Sequence, residues 1–233
     1  MPKISIVIPA YNEEKYIAQF LKQFKDSKEK YDLELIVADD HSTDNTVEIA
    51  KKYADKVTVL DKRENISVVR NAGAKLATGE FMIEADTDTR IKDPDHFFEK
   101  VLEIFKDPKV IAITPSLYIY PEEETFFDRI FHSFINLIVM LMSPFGSNRG
   151  PAQIMRTEAF WKAGGYDETL VVTEDMELFK RLKKLGKIVY RNDLVAYESP
   201  RRYRKEGHIK VVILWLLNYF GMLFFKKSYS KKW

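Results

Sequence analysis

The sequence contains no cysteine among its 233 residues, which excludes disulfide bonds, thiolate chemistry and metal sites built on sulfur. Histidine is also scarce, and no two histidines have the spacing of a metal-binding pair. The four are His41, His96, His132 and His208. The formal net charge is only +2 and no nucleic-acid motif is recognisable, so we expect no nucleic-acid partner.

Residues 1–9 also lack the pattern of a signal peptide, because they enter an apolar, strand-like segment at once. We therefore expect the protein at the cytoplasmic face of the cell membrane, as a peripheral or monotopic protein. A chain of this length, with 45% hydrophobic and 31% charged residues, is typical of a folded protein. It has room for one α/β domain and an appendage.

Apolar segments alternate with helical patterns through the first half of the chain. The predicted strands are residues 3–8, 33–38, 57–60, 81–85 and 110–114. Helices are predicted between them, with Pro9 ending the first strand and Gly79 capping the helix over 66–77. This β-α repeat predicts an α/β fold, a mostly parallel sheet with helices on both faces.

Polar clusters follow three of these strands, at residues 11–13, at 39–40 and at 86–88. In an open parallel sheet, ligands bind beyond the carboxyl ends of the strands. We therefore expect the three clusters to meet at one edge of the sheet and form a nucleotide-type site.

Asp86 and Asp88 stand one residue apart at the end of the fourth strand. In an extended chain their side chains point the same way, with Thr87 opposite. Two hard oxygen ligands suit Mn²⁺ or Mg²⁺ held against substrate phosphates. A plain turn built from Asp and Thr is the alternative reading.

A second acidic pair, Glu174 and Asp175, opens a helix in the second half of the chain. Thr173 is its predicted N-cap and Gly186 its predicted C-cap. Acids in a first turn complement the helix dipole, so the pair could serve only to stabilise the start of the helix. A strand is predicted at 187–191, and a basic cluster follows at Arg201, Arg202, Arg204 and Lys205.

Two further segments are strongly apolar. Residues 126–142 predict a helix with a narrow polar stripe, either a core helix or a membrane-surface helix. Residues 209–225 are short for a membrane span and have basic residues on both sides, including Lys226, Lys227, Lys231 and Lys232. We expect an in-plane amphipathic anchor on anionic lipid, with docking against the globular domain or a partner chain as the alternative.

Six motifs in these segments resemble those of family-2 glycosyltransferases, which have the GT-A fold. They occur in the family's order and extend from residue 3 to about residue 190. The motifs are Ile8-Pro-Ala-Tyr-Asn-Glu-Glu14, Val37-Ala-Asp-Asp-His-Ser-Thr-Asp-Asn-Thr46, Arg70-Asn-Ala-Gly73, Asp86-Thr-Asp88, Gly164-Gly-Tyr-Asp-Glu168 and Thr173-Glu-Asp175. His41 stands where the second motif usually has glycine, which leaves the local backbone geometry open.

The resemblance implies roles for individual residues. Pro9, Tyr11 and Glu13 would line the nucleotide pocket, Asp40 would bind the base, and Arg70 would lie near the ribose or phosphates. Asp86 would approach the ribose and metal, Asp88 would be the direct metal ligand, and Asp175 would be the general base. Glu174, Arg201 and Arg202 are candidates for contacts with the diphosphate or the acceptor.

The predicted domain organisation is a GT-A domain over 1–200 and a membrane-associating tail over 201–233. Within the domain, residues 1–115 would bind the nucleotide and residues 116–200 the acceptor. C-terminal amphipathic or apolar helices would carry the chain to an anionic membrane surface or into a homo-oligomer.

The predicted function is a metal-dependent, inverting glycosyltransferase using a UDP- or GDP-sugar and a lipid-linked or surface-glycan acceptor. A polyprenyl-phosphate sugar synthase is the near alternative, because an ionised acceptor phosphate needs no base. A nucleotidyltransferase is more remote, since residues 8–12 lack the expected Gly-rich loop. A non-catalytic nucleotide-binding or membrane-scaffold module is the third alternative.

Overall fold

The computed structural model describes residues 3–225 and 227–230. Within them, eight strands form one sheet in the order β3-β2-β1-β4-β7-β6-β8-β5. The strands are β1 (Ile4–Ala10), β2 (Leu33–Asp39), β3 (Lys56–Val59), β4 (Phe81–Ala85), β5 (Thr89–Ile91), β6 (Val110–Ile119), β7 (Ala152–Arg156) and β8 (Lys187–Glu198).

The helices connect these strands and extend the chain beyond the sheet. They are α1 (Ile17–Lys22), α2 (Thr46–Tyr53), α3 (Ile66–Ala74), α4 (Pro94–Ile104), α5 (Phe126–Met142), α6 (Thr157–Lys162), α7 (Glu174–Leu182), α8 (Arg201–Glu206) and α9 (His208–Phe225). A short 3₁₀ helix, Ser143–Phe145, follows α5.

The sheet is mixed but mostly parallel. β1 pairs in parallel with β2 and β4, β2 with β3, and β6 with β8. β7 runs antiparallel between β4 and β6, and β5 runs antiparallel to β8. Because the first four parallel strands end at one edge, the loops that follow them are brought together there.

Alternate side chains of the central strands enter two separate cores. Ile6 packs on one face with Phe24 and Phe98, from the side of α1 and α4. Val7 packs on the other face with Phe179, from the side of α7. This alternation explains why the central strands are apolar throughout: both of their faces are covered by helices.

Three strands run well past their predicted ends, and β6 is one of them, continuing to Ile119 rather than ending at 114. β1 continues through Pro9, because β4 pairs with β1 only as far as Val7 and the missing N–H of Pro9 interrupts no ladder there. β8 continues to Glu198 rather than ending at 191. The short strand β5, directly after the Asp86–Asp88 motif, was not predicted.

Two predicted C-caps are wrong, and the predicted N-cap Thr173 holds its position but makes no capping hydrogen bond. α3 ends at Ala74, and Gly79 instead allows close backbone approach, since a Cβ there would lie 2.7 Å from Lys3 O. Gly186 does the same beside Lys109 O, at 2.8 Å. Thr173 precedes α7 but has φ +67°, and its hydroxyl donates to Val172 O rather than accepting from the helix.

α5 has the predicted bounds but an inverted arrangement of side chains. Its buried residues include Asp128, His132 and Asn136, whereas Phe126 and Phe134 are 81% and 59% exposed. The polar stripe therefore faces the protein and the apolar side faces outward. This excludes an apolar core helix, because the large apolar side chains are the ones left uncovered.

α9 is also largely exposed, and Asn218 is among its few buried residues. Segments Phe126–Phe145 and His208–Phe225 are each long and apolar enough to cross a membrane by length and composition, with 28% and 17% of each buried. Four lysines follow this helix in the sequence. Lys227 is exposed, and Lys226, Lys231 and Lys232 lie outside the described residues.

Polar contacts attach α8 to the rest of the protein. Arg204 and His208 both contact the buried carboxylate of Asp128 in α5, with His208 Nε2 2.8 Å from Asp128 Oδ1. The Tyr203 hydroxyl donates to Glu198 at the end of β8, at 3.0 Å. Burial alone would raise the pKa of Asp128, but bonds from Arg204 and Thr125 hold this pKa well below its usual range.

Gly73→Ala should destabilise the protein although it improves helix propensity. An added Cβ would lie 2.5 Å from Val7 Cγ1 and 3.2 Å from Ala38 Cβ, where α3 crosses β1 and β2. We expect the free energy of unfolding to fall by about 1–3 kcal/mol, measured by urea denaturation. Gly150→Ala is the matched control, because its new methyl group meets nothing closer than Asp175 Oδ2 at 3.5 Å. A stability gain in Gly73→Ala would contradict this packing.

Candidate active site

The loops after β1 and β2 are joined by hydrogen bonds from backbone N–H groups to side-chain hydroxyls. Asn12 N donates to Ser42 Oγ at 2.9 Å, and Glu13 N donates to Thr46 Oγ1 at 2.8 Å. His41, at the position where glycine was expected, has φ +61°. The left-handed conformation that usually favours glycine is therefore retained with a histidine side chain.

Tyr11 and Asp40 meet through an arginine that the sequence did not single out. Arg63 Nε lies 2.7 Å from Asp40 Oδ2, and the Arg63 guanidinium lies 3.3 Å from the centroid of the Tyr11 ring. Asp40 Oδ1 also accepts from Glu64 N at 2.7 Å. Burial raises the pKa of Asp40, and these contacts oppose the rise. Pro9 is buried inside β1, beside Ala38 of β2.

Each carboxylate of the Asp86–Asp88 pair contacts an arginine from a distant part of the chain. Arg70 Nη2 donates to Asp86 Oδ1 at 2.8 Å. Arg201 Nε lies 2.9 Å from Asp88 Oδ2, and its Nη2 lies 3.1 Å from Glu13 Oε1. Arg201 thus joins the β1 loop to the end of β4. Arg202 is exposed on α8.

The second acidic pair, Glu174 and Asp175, lies in the first turn of α7 and reaches Arg70 from there. Arg70 Nη1 lies 3.7 Å from Glu174 Oε1, so one buried guanidinium lies between Asp86 and Glu174. Asp175 is adjacent, and the loop that contains Gly150 passes beside its carboxylate. Acids from β4 and α7, about ninety residues apart in sequence, are therefore neighbours through Arg70.

Burial raises the pKa values of three carboxylates at the site. Burial raises the pKa of Asp88 to about 7; Asp86, Glu198 and Glu13 add to the rise, and Arg201 opposes it. Burial also raises the pKa of both Glu174 and Asp175, again against the charge of Arg70. A carboxylate with a raised pKa is a better proton acceptor near neutral pH than an ordinary one.

Within residues 3–225 and 227–230, no group of three or more His, Asp or Glu side chains is placed to hold a metal ion alone. Mg²⁺ and Mn²⁺ need only one or two carboxylates when substrate phosphates complete the shell. Asp88 and Asp86 supply hard oxygen donors, and the carboxylates of Glu198 and Glu13 add negative charge around Asp88. The residues present fit a divalent cation that binds with a diphosphate.

Four polar residues near these acids were missed by the sequence prediction. Glu84 is fully buried in β4, and burial raises its pKa well above the usual value. Arg149 Nη2 lies 2.5 Å from Glu198 Oε1. The detectable signal for Glu84 was a charge inside an apolar strand; Arg63, Arg149 and Glu198 lie in segments without a distinctive pattern. The missed residues are Arg63, Glu84, Arg149 and Glu198.

Comparison with known proteins gives a family match over most of the chain. The sequence profile described as Glycosyl transferase family 2 matches residues 5–164. The chain is 38% identical over 97 residues to the poly(ribitol-phosphate) beta-N-acetylglucosaminyltransferase TarS of Staphylococcus aureus, covering 39% of this chain and 17% of TarS. It is 30% identical over 200 residues to the succinoglycan biosynthesis protein ExoA of Rhizobium meliloti, covering 81% of this chain and 60% of ExoA.

Among solved structures, the chain is similar to a mannosyltransferase from Pyrobaculum calidifontis, determined in complex with GDP-Man and Mn²⁺. The TM-score is 0.70 at 20% identity, covering 89% of this chain and 62% of that protein. This similarity confirms the predicted GT-A fold. The chain spans less than two thirds of the length of each of these three proteins.

In metal-free protein, Asp88→Asn should become more stabilising as the pH rises. The pKa of Asp88 is about 7 when folded and near 3.8 when unfolded. Between these values the unfolded chain binds fewer protons, so the wild-type protein loses stability as pH rises from about 4 to 7. The variant lacks this loss. We expect its advantage in unfolding free energy to grow by at least about 1 kcal/mol, measured by urea denaturation with EDTA.

Asp95→Asn is the control, because the pKa of Asp95 is lowered in the folded protein whereas that of Asp88 is raised. A hydrogen bond from Lys30 lowers the pKa of Asp95, so its stabilising contribution is complete above the unfolded pKa. This variant should be destabilised by a nearly constant amount from pH 5 to 8. An equally flat difference for Asp88→Asn would mean that Asp88 titrates normally.

Proposed function

The chain belongs to glycosyl transferase family 2, and from this premise we propose a specific reaction for it. It transfers a sugar from a UDP- or GDP-sugar to a lipid-linked or surface-glycan acceptor, with a divalent cation and inversion at the anomeric carbon. The reaction takes place at a membrane surface. The poly(ribitol-phosphate) named for TarS and the succinoglycan named for ExoA support a polymer or surface-glycan acceptor.

The observation that carries the proposal is the position of Arg70 between two acidic pairs. Asp86 lies on one side of its guanidinium at 2.8 Å and Glu174 on the other at 3.7 Å. The arrangement gathers a candidate metal-binding pair and a candidate base around one small volume. A glycosyl transfer needs both groups. The cation neutralises negative charge on the leaving diphosphate, and the base accepts the proton of the attacking hydroxyl.

In this proposal the nucleotide occupies the edge formed by the loops after β1 and β2. Asp40 accepts hydrogen bonds from the base, and Tyr11 borders it together with Pro9 and Glu13. Arg70 lies toward the ribose and phosphates. The proposed division of the domain follows, with residues 1–115 holding the donor and residues 116–200 facing the acceptor.

Asp88 and Asp86 would hold the divalent cation against the donor's diphosphate. The cation would neutralise charge on the departing nucleoside diphosphate as a Lewis acid. Mn²⁺ and Mg²⁺ both suit these oxygen ligands. The Mn²⁺ named with the similar mannosyltransferase supports a cation of this class.

Asp175 would accept the proton of the acceptor hydroxyl as the new glycosidic bond forms. A hydroxyl is a poor nucleophile near neutral pH, and a carboxylate within reach typically contributes about 10²–10⁴-fold to the rate. Its raised pKa suits this task. Attack from the side opposite the diphosphate inverts the anomeric centre.

The exposed apolar faces of α5 and α9 would lie in the plane of an anionic membrane. Large apolar side chains on both helices are uncovered, including Phe126, Phe134, Ile209 and Phe224. Exposed cations lie beside them, at Lys205, Lys210 and Lys227. A patch of this kind on a polar protein is typical of lipid contact. With residues 201–233 as the attachment, the site would face the cytoplasmic leaflet.

Release of UDP or GDP from the matching nucleotide sugar tests the reaction. We expect release with Mn²⁺ or Mg²⁺, loss with EDTA, and recovery when the cation is restored. Asp175→Asn should lower kcat by about 10²–10⁴-fold, because the acceptor proton then lacks its base. The measurement is steady-state release of nucleoside diphosphate with a lipid extract as the acceptor source.

Glu177→Gln is the matched control, since Glu177 lies in the same helical turn but pairs with Arg181. It should retain most of the wild-type rate. Substantial turnover by Asp175→Asn would favour a lipid-phosphate acceptor, whose oxygen is already ionised. Release from none of the UDP- or GDP-sugars would contradict the proposal.

Vesicle binding tests the membrane assignment. The wild-type protein should cosediment with vesicles containing anionic phospholipid. The double variant Phe134→Glu/Phe224→Glu should bind at least about tenfold more weakly, because each buried phenylalanine contributes about 1.5–3 kcal/mol.

Val59→Glu/Trp161→Glu is the control, since these exposed apolar residues lie on β3 and α6. It should bind vesicles like the wild type. A wild-type protein that ignores anionic vesicles and self-associates through α5 and α9 would instead support a homo-oligomer.

A further inference from the structure

Arg201 is paired with the carboxylate of Asp88, which the proposed metal ion would bind. Its guanidinium bridges Asp88 Oδ2 at 2.9 Å and Glu13 Oε1 at 3.1 Å. A divalent cation bound to Asp88 would lie close to this guanidinium. A guanidinium and a divalent cation on the same carboxylate repel each other at short range, and each weakens the binding of the other. Arg201 and the metal ion therefore compete for Asp88 in the nucleotide-free protein.

We propose that Arg201 is the resident counter-ion of Asp88 and that it excludes the divalent cation until the donor binds. The inference rests on the proposed metal-dependent transfer and adds an order of events to it. The donor's diphosphate brings enough negative charge for both cations. Asp88 is then released to the metal ion, and the Arg201 guanidinium moves to diphosphate oxygens.

Arg70 and Arg201 differ in the way this exchange requires. The Arg70 side chain is 4% exposed and held between Asp86 and Glu174, so it is a permanent part of the site. The Arg201 side chain is 47% exposed. Apart from Asp88 and Glu13, its guanidinium contacts the ring of Tyr16, 5.0 Å from the ring centroid. Its planar guanidinium can also bind phosphate oxygens in pairs.

The backbone of α8 keeps Arg201 at the site while its side chain changes partner. Tyr203 is buried and bonded to Glu198, and Arg204 is paired with Asp128. The exchange therefore requires a rotation of one side chain rather than a movement of the helix. In this scheme Arg201 is a positioning residue. It acts on the metal ion through Asp88, by determining when that carboxylate is available.

Binding of Mn²⁺ to the full chain without nucleotide tests the inference, with electron paramagnetic resonance as the readout of free Mn²⁺. Arg201→Ala should bind Mn²⁺ about tenfold more tightly than the wild type, a typical coupling between two ligands of one site. Arg201→Gln should behave in the same way. The gain should disappear in Asp88→Asn/Arg201→Ala, which identifies Asp88 as the ligand.

Lys205→Ala is the matched control, because it removes one positive charge from an exposed position on the same helix. It should bind Mn²⁺ like the wild type. Addition of UDP or GDP, referenced to protein-free solutions, should raise the Mn²⁺ affinity of the wild type more than that of Arg201→Ala.

Equal Mn²⁺ affinities for the wild type and Arg201→Ala would overturn the inference. If turnover still required a metal ion, the proposed function would survive that result. A wild-type protein that binds no Mn²⁺ even with UDP and GDP would overturn both.

Discussion

Pairing between arginines and buried carboxylates is the interaction on which the site depends. Asp86, Asp88, Glu174 and Asp175 meet at one edge of the sheet, where burial raises the pKa of three of them. Arg70 and Arg201 supply the opposing charge from α3 and α8. Without these cations the acids could not remain ionised so close together, because repulsion and desolvation both favour the neutral form.

The same kind of pairing explains the inverted helix α5. A carboxylate such as Asp128 can be buried because Arg204 and His208 reach it from the next layer. His132 is buried too, and burial with the neighbouring Arg149 lowers its pKa to about 3, which keeps it neutral. With the polar stripe facing the protein, the apolar residues of α5 are left on the outside. α8 belongs to both systems, since Arg201 contacts the site and Arg204 contacts α5.

Local patterns in the sequence were enough to predict the element types and the edge where the acids meet. Alternation of apolar segments with helical periodicity located β1–β4, and the bounds of α5 were predicted as Phe126–Met142. The family profile and the GT-A similarity confirm the fold. Turn and cap assignments failed at Gly79 and Gly186, because close backbone approach between distant segments leaves no periodic signal.

The sequence by itself determined that acids would follow the strands and that residues 126–142 would be an apolar helix with a polar stripe. These properties depend on neighbours within a few residues. Only the tertiary structure decided that Arg70 would lie between Asp86 and Glu174. It also decided that Arg201 would form an ion pair with Asp88, and that the polar stripe of α5 would face the protein. Each of these depends on side chains brought together across large sequence separations, where charge and burial, rather than local periodicity, select the partner.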